Sequence, residues 1–368
     1  HTKIVLTTYS MTYNVRDKFN RLTVLHTVNW NRIVLDEGHL IRNHKTIGHR
    51  AIMSFNSTHR WILSGTPIQN KQSDIINLFK FIGIVLPKRG NQLKEYIDNY
   101  LLRRNKTLIY DNVFTEYKTI EHDVVIDTQE EQTMYKKIQK GVVNDFIEAN
   151  DNKVNVLVML EIILRLRQAV IHPNIALESL RKKFRENAWK YNYSLKGNSS
   201  KINSLLSVIK KVNGLSLVFC HFKDEMDMIQ DNLSKNGIIS HRFDGGMNSS
   251  QKDAVISMYK KENAIRRFKN VNGCIQKQPF DKPTVLIIQI KAGGVGLNLQ
   301  QFTNVFIVSP DWNPTNEIQA IARAHRMGQV DEVQVHRFNL QPNKSFNEDS
   351  DEDWSTIDQR INSRQQEK

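Results

Sequence analysis

Short apolar runs that end abruptly in polar turns constrain the fold of this chain more than any other feature of its sequence. Residues 33–35 (IVL) form one such run, and residues 36–39 (DEGH) follow it at once. A continuous apolar run of this length predicts a strand buried on both faces, as in a parallel sheet covered by helices. Because ligands of such sheets bind beyond the carboxyl ends of the strands, Asp36 and Glu37 are expected to project into a binding crevice.

Similar runs recur along the chain and alternate with helical patterns. Further strands are predicted at residues 3–8, 60–63, 215–220, 285–290 and 304–308. Apolar residues at helical spacing predict helices at 74–84, 129–147 and 155–171. Strands that alternate with helices predict an α/β fold with parallel sheets. A chain of 368 residues is too long for one ordinary core, so two lobes are expected.

Charge and cysteine content narrow the class of protein. The chain has 52 Lys and Arg against 38 Asp and Glu, which gives a net charge of +14. This surplus favours an anionic partner, and nucleic acid is the leading candidate. The alternative is a basic surface that is only solvated. Cys220 and Cys274 form no CxxC pair, which excludes a disulfide framework and a cysteine zinc site and indicates a reducing compartment. Charges interrupt the longest apolar stretch, 154–171, so no membrane segment is expected.

Two neighbouring turns carry side chains suited to phosphate chemistry. Adjacent carboxylates suit a nucleoside triphosphatase, because one can hold Mg²⁺ through its water shell while the other orients or deprotonates the attacking water. An exposed acidic turn is the alternative interpretation. Residues 64–70 (SGTPIQN) follow the next strand after one strand-helix-strand unit, so both turns should open on the same sheet edge.

The ordered motifs resemble those of a known family. Residues 32–43 (RIVLDEGHLIRN) with 60–70 (RWILSGTPIQN) resemble the second and third motifs of helicase superfamily two, in the form found in Swi/Snf-type DNA-dependent ATPases. Within these, they are most similar to the branch of the helicase-like transcription factor and lodestar, and a viral global transactivator is a further candidate. The resemblance implies that Asp36 and Glu37 are catalytic, with Asp36 holding Mg²⁺ through water and Glu37 activating the attacking water.

The same resemblance assigns roles to three more residues of the first half. It implies that His39 couples the ATP site to motion. Ser64 and Thr66 would relay between the lobes.

Residues 243–246 (FDGG), in the second half, resemble a DNA-contacting turn of the family in which Gly246 replaces a serine and leaves backbone amides free to meet a phosphate.

Residues 292–299 (AGGVGLNL), 311–314 (DWNP) and 319–329 (QAIARAHRMGQ) resemble further motifs of the family. Helical spacing would place Gln319, Arg323 and Arg326 on one helix face, where a salt-bridged basic face is the alternative. The resemblance implies that Arg326 is an arginine finger, Arg323 a second phosphate contact and Gln319 a coupling residue. It implies DNA or phosphate contacts for Gly245, Gly294, Gly296, Asn298 and Trp312.

The resemblance also predicts the domain order. Residues 1–110 correspond to the C-terminal part of a first RecA-like lobe, 111–200 to a helical protrusion and linker, 201–345 to a second RecA-like lobe, and 346–368 to an acidic loop and the start of a brace helix. No GxxxxGK[ST] phosphate loop occurs, and the chain begins with His1. The family places that loop upstream, so either the first lobe is N-terminally truncated, which fits His1 better, or the chain is a degenerate member of the family. In both cases this piece alone is expected to be inactive.

The resemblance implies an ATP-dependent translocase on double-stranded DNA that requires ATP and Mg²⁺ and acts on chromatin or transcription complexes in the nucleus, the host nucleus if viral. A non-catalytic DNA-binding module that retains the fold is the alternative. An RNA helicase is less favoured, because AGGxGLNL and DWNP are Swi/Snf-type features. No RING-type ubiquitin ligase activity is expected, because the inter-lobe region lacks the cysteines it needs.

Overall fold

The computed structural model describes residues 4–16, 22–65, 72–86, 91–102, 116–148, 156–266, 269–271, 274–276, 284–290, 297–326, 329, 331–346 and 354–366. The chain divides into two compact units, His1–Asn105 (unit 1) and Lys106–Lys368 (unit 2). Each unit has its own sheet and core. No helix of the described residues is long and apolar enough to cross a membrane.

Unit 1 is a small parallel sheet packed against short helices. Its elements are α1 (Tyr9–Thr12), α2 (Val24–Thr27), β1 (Trp30–Leu35), a 3-10 helix (Gly38–Ile41), α3 (Ile47–Met53), β2 (Ser57–Ile62), α4 (Gln72–Phe81) and α5 (Asn91–Tyr100). Strands β1 and β2 pair in parallel, with Trp30 beside Ser57 and Leu35 beside Ile62. Both strands therefore end at the same edge of the sheet, as predicted from the strand-helix-strand spacing.

The core of unit 1 confirms one apolar pattern and corrects another. Strand β1 forms where it is predicted but is not buried on both faces, because Val34 is 49% exposed and Ile33 is only partly buried in this two-stranded sheet. Leu35, at the end of β1, is buried beside Ile41 and Phe81. The helical pattern at 74–84 corresponds to α4, which buries Leu78 and Phe79. These buried residues hold the end of β1 against the core of unit 1, and Asp36, which follows Leu35, lies at the surface of the unit.

The predicted strand at residues 3–8 is wrong. Residues 4–8 form no regular element, and the Ile4 and Leu6 side chains are 86% and 92% exposed. A strand needs a neighbour to satisfy its backbone groups and a cover for its apolar faces. Among the described residues of unit 1, β1 pairs with β2 alone, and no strand lies beside residues 4–8.

Unit 2 is built on a six-stranded, fully parallel sheet. Its strands are β3 (Lys118–Val125), β4 (Leu215–Cys220), β5 (Ile239–Phe243), β8 (Thr284–Gln289), β9 (Asn304–Ile307) and β10 (Gln334–Gln341). Their order is β3-β10-β9-β4-β8-β5. A separate antiparallel pair, β6 (Lys269–Val271) with β7 (Cys274–Gln276), lies between β5 and β8 along the chain.

The central strand β4 shows why the strands of this sheet appear in the sequence as continuous apolar runs. Leu217 and Phe219 belong to one buried cluster, whereas Val218 and Cys220 belong to the other. Successive side chains of a strand point to opposite faces. Because helices cover both faces, every position of β4 is buried and the sequence shows no alternation.

Helices lie on both faces of the unit 2 sheet. They are α6 (Gln129–Glu148), α7 (Val156–Ala169), α8 (Pro173–Lys183), a 3-10 helix (Arg185–Tyr191), α9 (Ser200–Lys211), α10 (Lys223–Lys235), α11 (Ser249–Arg266), α12 (Pro314–Ala324), a short 3-10 helix (Lys344–Phe346) and α13 (Ile357–Gln366). Residues of α6 to α10 and α13 join one cluster, and residues of α11 and α12 join the other. The predicted α/β class is confirmed.

Two features of unit 2 were not anticipated. Strands β3 and β10, which form one side of the sheet, were not predicted, and β3 falls in the segment expected to be a helical protrusion and linker. Within residues 111–200, where a linker is expected, Tyr191 and Leu195 are buried. Side chains with polar ends are held there by specific partners, which composition does not reveal.

Candidate functional site

The DEGH turn of unit 1 has an unusual backbone. Glu37 has φ 49° and ψ 45°, a left-handed conformation found at no other non-glycine residue of the described chain. Such a conformation costs on the order of 1–3 kcal/mol and persists where the surroundings determine it. Two contacts do so: the Glu37 amide donates to Asp36 Oδ1 at 3.0 Å, and the Tyr9 hydroxyl donates to the Asp36 carbonyl at 2.8 Å.

The end of β2 holds the turn from the other side. The Gly38 amide donates to the Leu63 carbonyl at 2.9 Å, and the Leu63 amide donates to the Leu35 carbonyl at 2.8 Å. A Cβ atom on Gly38 would lie 2.4 Å from Ile62 Cγ2. The glycine is therefore required by the closeness of the two strands.

His39 connects the DEGH turn to the start of the SGTPIQN segment. Its Nδ1 lies 3.3 Å from Ser64 Oγ and 3.2 Å from Glu37 Oε2. Burial lowers the pKa of His39, and the Glu37 carboxylate offsets part of that shift. The imidazole is thus neutral at pH 7, and because a carboxylate only accepts, the tautomer with its proton on Nδ1 suits this position.

The carboxylates of this turn fit a magnesium ion held with a nucleotide. Asp36 is exposed, and Glu37 Oε2 is buried, facing His39 Nδ1 at 3.2 Å. No group of three or more metal-ligating side chains occurs in the described part of the chain. Mg²⁺ in phosphate-binding enzymes keeps several waters and takes one or two carboxylates, so Asp36 alone is a sufficient protein ligand.

Unit 2 brings the glycine-rich motif AGGVGLNL together with the arginine-bearing motif QAIARAHRMGQ. The Leu299 amide donates to the Arg323 carbonyl at 3.0 Å. The Gln329 side-chain amide donates to the carbonyls of Gln300 at 2.8 Å and Ala324 at 3.3 Å. The end of the AGGVGLNL motif therefore lies against the end of α12, in the same unit.

One prediction about the arginines is corrected. Gln319 and Arg323 share α12, but this helix ends at Ala324, and His325 has ψ 83°, outside the helical range. Arg326 therefore follows the helix and is exposed, so it does not lie on the same helix face. The Gln329 side chain takes the carbonyl of Ala324 that a longer helix would have used.

The remaining predicted contacts are partly described. The Asn298 side chain accepts from the Gln300 amide at 3.4 Å, and Trp312 is 43% exposed at the start of α12. Thr66, Gly294 and Gly296 lie outside the described residues, as does the acidic run at 347–353.

The turn after β5 differs from the expectation at Gly246. Its amide donates to Asp244 Oδ1 at 2.6 Å, so this amide is not free for a phosphate. A Cβ on Gly246 would lie 3.0 Å from Asp244 Oδ1 and 3.3 Å from Lys223 Nζ, which explains the glycine. Asp244 also accepts from Arg242 Nε at 2.8 Å. Gly245 lies in the same turn, with open space on its Cβ side apart from Gln289 Oε1 at 3.8 Å.

Sequence reasoning missed a polar network that holds the DWNP turn. Asp311 Oδ1 accepts from the Asn313 amide at 2.8 Å, while Oδ2 faces His221 Nδ1 at 3.5 Å and Arg167 Nη2 at 4.0 Å. Burial and the Arg167 charge lower the pKa of His221 to about 4. The sequence could have indicated this network through the positions of its residues, because His221 directly follows β4 and Asp311 follows β9 at the same sheet edge.

Similarity to known domains agrees with this arrangement. Residues 1–175 match an SNF2-related domain, and residues 200–328 match a helicase conserved C-terminal domain. The first match contains the DEGH and SGTPIQN motifs, and the second contains AGGVGLNL, DWNP and all but the last residue of QAIARAHRMGQ.

Individual relatives are distant. The chain is 25% identical to the Chromodomain-helicase-DNA-binding protein 3 homolog of Caenorhabditis elegans, over 86% of the chain and 18% of that protein. It is 25% identical to the human Helicase-like transcription factor, over 91% of the chain and 43% of that protein. It is 26% identical to the Probable global transactivator of Orgyia pseudotsugata multicapsid polyhedrosis virus, over 84% of the chain and 61% of that protein.

The chain thus spans less than two thirds of each of these relatives, and it is about equally similar to all three. An SNF2-related domain is followed by a helicase conserved C-terminal domain, in the order that the DEGH, SGTPIQN, AGGVGLNL and QAIARAHRMGQ motifs indicate. On these grounds the chain belongs to the SNF2-type helicases of superfamily two.

Proposed function

We propose that this chain is part of an ATPase that translocates along double-stranded DNA without separating its strands. The observation that carries the proposal is the DEGH turn, where a strained Glu37 and an exposed Asp36 stand at the carboxyl end of β1, with His39 bonded to Ser64. Strain of this kind concentrates at functional sites, and a purely structural turn has no need of it.

Each residue has a distinct role in this proposal. Asp36 would hold Mg²⁺, which supplies charge neutralisation of the nucleotide phosphates when bound. Glu37 orients the attacking water and takes its proton. Arg326 stabilises the negative charge that develops on the transferred phosphoryl group, with Arg323 as a second phosphate contact. His39 senses the state of Glu37 and passes it to Ser64, and Gln319 couples α12 to the same event.

The partner and setting follow from charge and relatives. A net charge of +14 favours a polyanion, and two relatives are named as a DNA-binding helicase and as a transcription factor. We propose double-stranded DNA as partner, through Gly245, Asn298, Trp312 and the glycines 294 and 296, in chromatin or transcription complexes of the nucleus. Residues 1–110 and 201–345 would form the two RecA-like lobes.

Phosphate release with and without double-stranded DNA tests the proposal. The assay uses the natural gene product that contains these residues, because the 368 residues include no GxxxxGK[ST] sequence. DNA should stimulate phosphate release. Glu37→Gln should lower it by roughly 10²–10⁴-fold and Arg326→Ala by roughly a thousandfold or more.

The second candidate is a DNA-binding module that keeps the fold without turnover. It predicts no phosphate release, together with salt-dependent DNA binding that neither substitution changes. A matched control is Glu130→Gln, which removes an exposed carboxylate at the start of α6 and should leave phosphate release unchanged.

A further inference from the structure

The DWNP turn of unit 2 is held by a residue of α13 that belongs to none of the family motifs. Gln365 lies in the last turn of α13, and its side-chain amide donates to the Asp311 carbonyl at 2.6 Å. The two residues are 54 positions apart in the chain. The contact therefore joins α13 to the turn that carries the exposed Trp312.

This contact determines the direction of one of the two peptide groups that flank Trp312. A peptide group is planar, so a hydrogen bond that fixes its carbonyl also fixes the amide of the next residue. Gln365 in this way sets the peptide between Asp311 and Trp312. The Asn313 amide, which donates to Asp311 Oδ1 at 2.8 Å, sets the peptide on the other side. With both peptides held, the backbone of Trp312 has little freedom.

An ion pair holds the Gln365 side chain in turn. Gln365 Oε1 accepts from Arg337 Nη2 at 3.1 Å, and Gln365 Nε2 donates to Glu317 Oε1 at 3.0 Å. Arg337 and Glu317 face each other at 2.7 Å, and Glu317 Oε1 also accepts from the Asp311 amide at 2.7 Å. A glutamine suits this position because one end of its amide meets a donor and the other meets two acceptors.

The start of α13 is fixed as well, which allows its end to act as a support. Asp358 pairs with Lys201 in the interior of unit 2, and Ile357 and Ile361 are buried in the core. Gln365 follows Asp358 by seven residues, which is about 10 Å along a helix. α13 is thus anchored at its start and contacts the DWNP turn with its last turn.

Trp312 is the side chain that this arrangement presents to solvent. It is 43% exposed, whereas Asp311, directly before it, is 6% exposed. A large aromatic ring on a fixed backbone is a suitable contact for a partner, because little conformational entropy is lost when it binds. Loss of the Gln365 contact would free a peptide group next to the ring without changing the ring or any charge.

We propose that Gln365 is a positioning residue for Trp312: by holding the peptide between Asp311 and Trp312, α13 keeps the indole in the orientation that meets double-stranded DNA. The inference rests on the proposed function for the class of partner. The hold on the peptide does not depend on that function and is measured separately.

Fluorine NMR of the natural gene product labelled with 5-fluorotryptophan tests the positioning. The signals of Trp312 and Trp354 are those that disappear in Trp312→Phe and Trp354→Phe. Gln365→Ala should move or broaden the Trp312 signal and leave that of Trp354, three residues before α13, unchanged. Gln365→Glu has nearly the same shape but turns the donor towards Asp311 into an acceptor, and it should do the same. Gln366→Ala, an exposed change at the next position, is the matched control and should move neither signal.

Duplex affinity tests the purpose of the positioning. It is measured by fluorescence anisotropy with a short duplex and without nucleotide. Gln365→Ala should weaken binding roughly fivefold, the lower end of the factor for ordering the backbone of one residue. In a Trp312→Ala background the same substitution should have no further effect, because the two residues act through one contact. Gln366→Ala should bind as the wild type does.

Three results would overturn the inference. The first is a Trp312 signal that neither Gln365 variant changes, which means that the turn keeps its shape without α13. The second is an equal change in the Trp354 signal, which means that α13 as a whole has been lost. The third is a Gln365→Ala variant with wild-type affinity, or with a loss that persists in the Trp312→Ala background. A wild-type protein that binds no duplex would instead remove the DNA partner from the proposed function, and the fluorine spectra would still decide the positioning.

Discussion

Gly38 shows how a single atom limits the DEGH turn. The turn lies so close to β2 that a Cβ at this position would come within 2.4 Å of Ile62 Cγ2, a side-chain atom of a half-buried strand residue. The Gly38 φ angle is not positive, so the glycine is explained by the limited space at this position and not by backbone strain. The left-handed residue of the turn is its neighbour, Glu37.

Gly38→Ala should therefore destabilise unit 1 by about 1–3 kcal/mol, the usual cost of overpacking, because either the turn or β2 must shift. The same shift moves Glu37, so DNA-stimulated phosphate release should fall as well. Chemical denaturation monitored by circular dichroism measures the first effect, and the phosphate assay measures the second.

Gly65→Ala is the matched control for that change. Gly65 lies in the neighbouring turn, and nothing approaches its Cβ position within 4 Å. The free energy of unfolding of the Gly65→Ala variant should stay within about 0.5 kcal/mol of the wild-type value. Equal destabilisation by the two substitutions would show that the contact with Ile62 is not what requires a glycine at position 38.

At the scale of single elements, α13 is attached to unit 2 by a fully buried ion pair. Lys201 on α9 contacts Asp358 on α13, and both side chains are at most 1% exposed. Lys201 Nζ also donates to Ser309 Oγ at 2.8 Å, and Asp358 Oδ2 accepts from the Leu340 amide at 3.0 Å. The pair thus joins α13 to α9 and to the ends of two strands.

Lys201→Met should cost about 3–5 kcal/mol of unfolding free energy, because it leaves the Asp358 carboxylate buried without its counter-charge. Adding Asp358→Asn should recover part of the loss, since the charge disappears while an oxygen still accepts from Leu340. Arg360→Gln, an exposed change on the same helix, is the control and should be nearly neutral. A double variant as unstable as Lys201→Met would contradict the role of the charge.

The pairing of β3 with β10 includes two histidines in contact. His122 Nε2 lies 3.0 Å from His336 Nδ1, and both rings stack in a column with Phe306 and Phe338. One shared proton satisfies this contact, whereas two protonated rings would repel each other. Burial and the neighbouring His122 lower the pKa of His336 to about 4, and burial lowers the pKa of His122.

This pair should make unit 2 less stable in mild acid. Between the ordinary histidine pKa of 6.5 and about 4, the unfolded chain binds a proton that folded His336 does not. The contribution is complete above pH 6.5, declines as the pH falls towards 4 and changes no further below that value. His336→Phe should flatten the pH dependence of the melting temperature over this window, whereas His44→Gln, at an exposed site of unit 1, should not.

The whole molecule consists of two compact units with separate cores. A unit with its own core can unfold in a cooperative transition of its own. Calorimetry should therefore show two transitions. Gly38→Ala should lower one of them and Lys201→Met the other. A single transition that both variants shift equally would contradict this description.

Much of this architecture was predictable from sequence, and the reason is local. β4 and β8 are buried on both faces, so their apolar runs identify them without reference to any neighbour. Helices α4, α6 and α7 were predicted because one face of each packs on a core. β3 and β10 escaped detection because β3 lies at the edge of the sheet, where only some of its side chains are buried, and β10 carries polar residues whose partners are distant in sequence.

The sequence by itself determined the family, the order of the motifs and the placement of Asp36, Glu37 and His39 after a short strand, because these depend on residues adjacent in the chain. Tertiary structure alone decided the left-handed Glu37, the end of α12 before Arg326 and the burial of Lys201 beside Asp358. Each of these depends on an atom contributed by a distant segment. No pattern along the chain records such a distance, so only the folded arrangement shows it.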